Sequence, residues 1–195
     1  MKKININRTE LLRYLPSGTV AEIGVAKGNF SKSITKIVSP NRLYLIDAWD
    51  NFDLGYADKT MVSKKRQQRR YNSVKKYFEN YKEVKLIRQK STVAASLFSD
   101  NYFDWIYIDA DHSYNGCYSD LNSFDIKVKK NGYICGHDWL ADGYNREGFG
   151  VNKAVTDFVN KNNYYLTIIT NEDKYASYVI AKRIEDKEYI LDKLF

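Results

Sequence analysis

The chain has only two histidines, and each stands close to aspartate. In "YIDADHSY" Asp109 precedes His112 by three residues, and in "GHDW" Asp138 follows His137 directly. Imidazole titrates near neutral pH, and an ionised carboxylate is an acceptor that can steer it, so these pairs are suited to moving a proton. Taken singly each has a plainer reading, with Asp109 or Asp111 as a helix N-cap and His137 as a loop histidine. A different chemistry is written upstream. In "EIGVAKG" Glu22, Gly24 and Gly28 form the pattern E-x-G-x-x-x-G, and "YLID" ends in Asp47 nineteen residues after Gly28. Glycines at a strand-to-helix turn let the backbone bend sharply and approach a ligand closely. A carboxylate ending the next strand can accept protons from both hydroxyls of a ribose. Together these features predict a site for an adenosine cofactor. Ala26 stands where the dinucleotide fingerprint G-x-G-x-x-G has its second glycine, which argues against a pyrophosphate and hence against NAD.

The elements that would position these residues follow from hydrophobic pattern. Thr19–Ala26, Arg42–Trp49, Val84–Lys90, Phe103–Ala110 and Gly132–Trp139 read as strands. Their centres are apolar without alternation, as expected of a parallel sheet covered on both faces. Helical spacing falls between them: Phe30, Ile34, Ile37; Val93, Leu97, Phe98; Tyr114, Cys117, Leu121, Phe124, Val128; and then Val151, Ala154, Val155, Phe158. The alternation predicts a doubly wound, Rossmann-like α/β sheet. "YYLTIIT" and "YASYVIAKR" are joined by only "NEDK", too short for a crossover helix, so they must close the sheet as an antiparallel hairpin. Neighbouring parallel strands lie about 4.8 Å apart, so the fourth and fifth strands deliver Asp109, His112, His137 and Asp138 into one crevice. Residues 1–195 read as a single domain. Within it, residues 1–16 are expected to form a short helix ahead of the first strand, and residues 51–70 an insert long enough to act as a lid.

Composition narrows the setting. No apolar run approaches the ~20 residues that span a bilayer, and "MKKININRTELL" lacks the apolar core of a signal peptide. Cys117 and Cys135 are the only cysteines, which fits two free thiols in a reducing, cytoplasmic setting. The net charge is +7, with a dense basic run from Lys64 to Arg70. Such a run can attract nucleic acid. However, Tyr71, Val74, Tyr77, Phe78 and Tyr81 continue it with helical spacing, so the solvated face of a helix is the favoured reading. Self-association is left open.

"DWIYIDADHSYNGCYSDL" and "NGYICGHDW", with "EIGVAKG" and "IDAWD", resemble class I S-adenosylmethionine-dependent methyltransferases. Within these they are most similar to the branch that includes the metal-dependent macrolide-sugar O-methyltransferases. The resemblance runs roughly from Thr19 to Val159, and "GVNKAVTDFV" looks like the helix this family places after its fifth strand. It implies a seven-stranded sheet and S-adenosylmethionine as cofactor, with the methionine carboxylate at the N-terminus of the first helix after the glycine turn. It further implies Ser91 at the adenine (a helix cap being the plainer role), Asp109 and Asp138 as ligands of a divalent metal, and His112 as general base. Asp109 would also touch the cofactor. His137 stands where the sugar enzymes carry a carboxylate. As a third ligand, its imidazole would favour a transition metal over magnesium. The expected acceptor is a hydroxyl of a sugar or related small molecule. Two alternatives are a metal-free methyltransferase, with Asp109 and Asp138 only orienting the reactants, and a nucleic-acid-binding protein on the same scaffold. The N/D-P-P-Y/F motif of enzymes acting on exocyclic base nitrogens is missing, since the only prolines are Pro16 and Pro40.

Overall fold

The protein is described by a computed structural model covering residues 1–51 and 62–194. In chain order its strands are β1 (Lys2–Ile4), β2 (Thr19–Ile23), β3 (Arg42–Asp47), β4 (Val84–Arg88) and β5 (Phe103–Ile108). They continue as β6 (Val128–Leu140), β7 (Tyr165–Thr170) and β8 (Tyr175–Ala181). The helices are α1 (Arg8–Leu11), α2 (Asn29–Val38), α3 (Lys64–Phe78), α4 (Ser91–Ala95), α5 (Tyr114–Asp125), α6 (Val151–Asn162) and α7 (Ile184–Asp192). All the strands share one sheet, ordered β1-β7-β8-β6-β5-β2-β3-β4. Only β8 runs antiparallel to its neighbours, β6 and β7.

Burial on both faces explains the unbroken apolar runs. Along β5, Trp105 and Tyr107 join one core with Leu11, Phe30, Ile34, Val74 and Ile190, drawn from α1, α2, α3 and α7. Ile106 and Ile108 point the other way, into a second core with Ala94, Leu121, Phe124 and Phe158 from α4, α5 and α6. Each such side chain, fully buried, contributes roughly 1.5–3 kcal/mol. The basic run Lys64–Arg70 is the first half of α3, which buries Val74 and Phe78 and leaves Lys64, Lys65, Arg66 and Arg69 in solvent, as the solvated-face reading expects.

Several expectations are corrected. The sheet has eight strands rather than seven, because residues 1–16 are not one helix. Lys2–Ile4 extends the sheet alongside β7, with Lys2 opposite Ile168 and Ile4 opposite Thr170. Asn7 then ends the extended segment: its side chain accepts from the N–H groups of Thr9 and Glu10, and its own N–H donates to Glu10, closing a capping box that starts α1. Val128, expected to end the α5 helix, begins β6 instead. The final helix, α7, had no counterpart in the sequence reading. Residues 52–61 of the expected lid lie outside the described residues, and Lys64–Arg70 of it belongs to α3. Among the described residues no helix is long and apolar enough to cross a membrane.

Candidate active site

After β1 the chain lays down β2, builds outward through β3 and β4, then returns to place β5 on the other side of β2. The crevice between the tips of β2 and β5 is therefore a topological switch point, where open α/β sheets bind ligands. Gly24 lies in it with φ +89°, and a Cβ there would stand 1.9 Å from the Asp109 carbonyl oxygen. Only glycine allows these two strand tips to meet. Asp47 fixes the turn. Its Oδ2 accepts from the N–H groups of Val25 and Ala26 at 2.9 and 2.8 Å, and its Oδ1 from that of Trp49 at 2.6 Å. The Trp49 indole in turn donates to the Ala26 carbonyl at 2.9 Å. Three of the four acceptor positions on Asp47 are thus engaged, which leaves one for a ligand hydroxyl.

A cavity of about 620 Å³ opens over this turn, a volume suited to a cofactor-sized molecule. Gly24, Asp47, Ser91 and Asp109 line it, together with Asp120 and Gln67. Glu22 and Gly28 do not. Glu22 is buried inside the sheet, where it accepts from the Ser31 hydroxyl; burial pushes its carboxyl up to about 8. Gly28, at φ +74°, starts α2. Ser91 is the first residue of α4, and its hydroxyl donates to Asp120 Oδ1 across the cavity end.

Of the four acids and histidines only Asp109 lines this cavity; His112, His137 and Asp138 gather around it outside the lining. His137 and Asp138 are adjacent on β6, so regular pleating would send their side chains to opposite faces. The β6–β8 register shifts between Gly136 and Trp139, and Asp138 adopts φ +59°. This bulge re-aims the pair. His137 Nδ1 consequently lies 3.2 Å from Asp138 Oδ2, and His112 Nε2 lies 3.1 Å from the same oxygen and 3.5 Å from Asp109 Oδ1. Burial alone would raise the Asp138 carboxyl, but its contacts with both histidines outweigh burial and hold it well below the usual range. The same contest lowers Asp109, whose Oδ2 also accepts from Arg8 Nη2 at 2.9 Å. Asp109, His137 and Asp138 each bring a donor atom within 4.8 Å of the others, a grouping able to hold a cation.

Three residues that the sequence did not single out complete the site. Arg8 arrives from α1 and lies over the Phe30 ring at 4.0 Å as well as on Asp109. The motif N-x-x-E marks its helix start, but nothing local marks its partner. Phe149 stacks on the His112 ring with centroids 4.8 Å apart, and the adjacent Gly150 N–H donates to the His112 carbonyl at 2.8 Å. Asp120 is an isolated carboxylate on an otherwise apolar helix face, a signal visible only once α5 is placed.

The sequence matches the family model described as a methyltransferase domain over residues 21–139. No curated protein sequence matches. Among solved structures, fibrillarin from Aeropyrum pernix with natively bound S-adenosyl-L-methionine is similar with a TM-score of 0.62 at 11% identity, over 87% of this chain and 68% of that one. An O-methyltransferase family protein from Burkholderia thailandensis gives 0.64 at 8% identity, over 89% of this chain and 55% of that one. The N-methyltransferase NodS from Bradyrhizobium japonicum gives 0.59 at 13% identity, over 89% and 93%. At such identities the likeness is one of fold, and it spans proteins named for oxygen and for nitrogen acceptors.

Proposed function

The chain belongs to the methyltransferase domain family, and from that premise we propose that it carries the methyl group of S-adenosylmethionine to a hydroxyl of a sugar or related small molecule, with His112 as base. The observation that carries this reading is the His112 imidazole held 3.1 Å from Asp138 at the rim beyond Gly24. A sulfonium methyl is already activated, whereas a hydroxyl acceptor has to lose its proton. An imidazole steered by a carboxylate takes that proton near neutral pH, and Asp109 and Asp138 stabilise the imidazolium that results. The rest of catalysis is alignment of oxygen, methyl and sulfur in line. In this reading Gly24 and the start of α2 receive the methionine end, Asp47 a ribose hydroxyl, and Ser91 the adenine end.

Asp109, His137 and Asp138 fit a divalent cation by convergence and by donor type, two oxygens and a nitrogen. Such an ion would lower the pKa of a bound acceptor hydroxyl. Arg8 supports a second reading, since its guanidinium already neutralises Asp109 and the pair can orient reactants without an ion. The sugar acceptor is supported by the aromatic wall beside His112. Phe149 is joined there by Tyr175, whose hydroxyl accepts from Arg146 Nη1 at 2.8 Å.

The test is methyl transfer from labelled S-adenosylmethionine to a panel of glycosides and nucleotide-linked sugars, with the methylated atom identified by NMR. An O-methyl sugar is the expected product, and methylation confined to nitrogen acceptors would reject the proposal. Loss of turnover on chelation, restored by manganese or magnesium, supports the metal-assisted form; turnover unchanged by chelators supports the Arg8 form.

A further inference from the structure

We propose that the outward face of α3 docks the phosphate backbone of a duplex nucleic acid without reading its sequence. Seven of the fifteen residues of α3 are cationic and none is acidic; the first acid is Glu79, just past its end. Solvation explains why these side chains are exposed, but not why they share one sign. Elsewhere the chain mixes its charges: in α6 Lys153 pairs with Asp157 one turn on at 2.6 Å, and the first turn of α7 holds Glu185 and Asp186. In α3 the reverse holds. Lys64, Lys65 and Arg66 crowd the positive end of the helix dipole, with no side-chain cap from Ser63. Lys65 with Arg69, and Arg66 with Arg70, are like charges four residues apart, a spacing that destabilises an isolated helix. An arrangement that works against the helix answers to something outside it.

At about 100° per residue, Lys65, Arg69 and Lys76 fall on one line, opposite the buried Gln67, Val74 and Phe78. The line runs about 16 Å along the helix axis. It looks away from the cofactor cavity, which Gln67 lines from the other face. All three side chains are exposed, and among the described residues none of them is ion-paired, whereas Lys64 has Asp50 at 3.9 Å. Gln68, Asn72 and Ser73, exposed between them, add amide and hydroxyl groups of the kind that hydrogen-bond phosphate. Polyanionic partners differ in what else they require. A lipid surface needs apolar side chains beside the cations, and the exposed positions of this line hold none. A single strand needs an open aromatic ring on which bases stack. Tyr77 lies off this line, and its ring already carries Lys32 Nζ at 4.4 Å and Tyr81 stacked at 5.8 Å. A duplex carries about one charge per 1.7 Å of its axis and asks only for a row of cations. That row is what α3 offers.

Fluorescence anisotropy with a short labelled duplex of arbitrary sequence tests this on the full chain. Wild-type protein should bind it, and log affinity should fall with log salt at a slope of about 0.9 per phosphate contact. Lys65→Gln, Arg69→Gln and Lys76→Gln together should make that slope shallower by ~2–3 and weaken binding ~10²-fold at about 0.1 M salt. Lys130→Gln, Lys161→Gln and Lys193→Gln remove the same charge from exposed positions outside α3. That variant should stay within about fivefold of wild type. The α3 variant sheds like-charge repulsion and should melt no lower than wild type; a lower melting temperature would remove the premise. Equal losses in the two variants would reduce binding to net charge and overturn the proposal. So would failure of the wild type to bind duplex. Tighter binding of single strands, hyaluronate or phosphatidylserine vesicles at the same salt would also overturn it, assigning the face to another class of partner. These wild-type comparisons need neither a variant nor a methyl acceptor, so the result stands apart from the proposed reaction.

Discussion

Asp138 carries a left-handed backbone, and that conformation lets one carboxylate oxygen serve two imidazoles. Asn tolerates the same conformation better than most residues, so Asp138→Asn should fold yet lose the negative charge that stabilises the His112 imidazolium. His112→Gln should lower turnover by ~10²–10⁴. Both variants should bind S-adenosylhomocysteine within a few-fold of wild type, and turnover close to wild type in His112→Gln would move the base elsewhere. The acids also act on stability, with opposite signs. The Asp138 carboxyl is lowered from 3.8, so its contribution is complete above that pH and is lost as pH falls below it. The acid limb of a melting profile should therefore be shallower in Asp138→Asn. Glu22 is raised from 4.5 to about 8. Between those values the unfolded chain has lost a proton that the native state keeps, so stability declines as pH rises. Glu22→Gln should remove that decline, and a melting profile unchanged from pH 5 to 8 would show that Glu22 is ionised in the fold.

At the scale of elements, the site depends on how closely strand tips approach. Gly24→Ala would drive a Cβ to 1.9 Å from the Asp109 carbonyl oxygen. It should cost several kcal/mol, on the order of a severe core substitution, and abolish cofactor binding. Denaturant melts would check the first outcome and calorimetry the second. Asp47→Ala releases three backbone N–H groups, each worth roughly 1–3 kcal/mol if left unpaired, and should loosen the turn before it unfolds the sheet. These elements differ in how far the sequence reveals them. β2 to β6 were legible because strands buried on both faces need unbroken apolar runs, and the hairpin was legible because "NEDK" is too short for a helix. β1 was not, since it has three residues and one buried side chain, Ile4. The four acids and histidines were named from sequence, but the bulge that brings His137 and Asp138 together depends on pairing with β8, some forty residues away. Arg8 was hidden for the same reason: its partner Asp109 is distant in the chain and near only in the fold.

For the molecule as a whole, ligand and fold are linked. Saturation with S-adenosylmethionine at 100 times its dissociation constant should stabilise the native state by ~2.7 kcal/mol. For a chain of this size that is a melting shift of roughly 5–10 °C. NAD should give no shift, and a response to NAD alone would overturn the cofactor assignment. The edge strand β1 adds a constraint of order in time. Lys2–Ile4 pairs with Ile168–Thr170, so a segment that leaves the ribosome early waits for one made near the end of the described chain. Loop closure over that span is slow. Arg8, a few residues beyond β1, reaches Asp109 in the docked arrangement. The glycine turn and the Asp47 anchor need only β2, β3 and β5, all made earlier. A nascent chain would thus assemble its glycine turn first and its charged centre last, with β1 as the closing step.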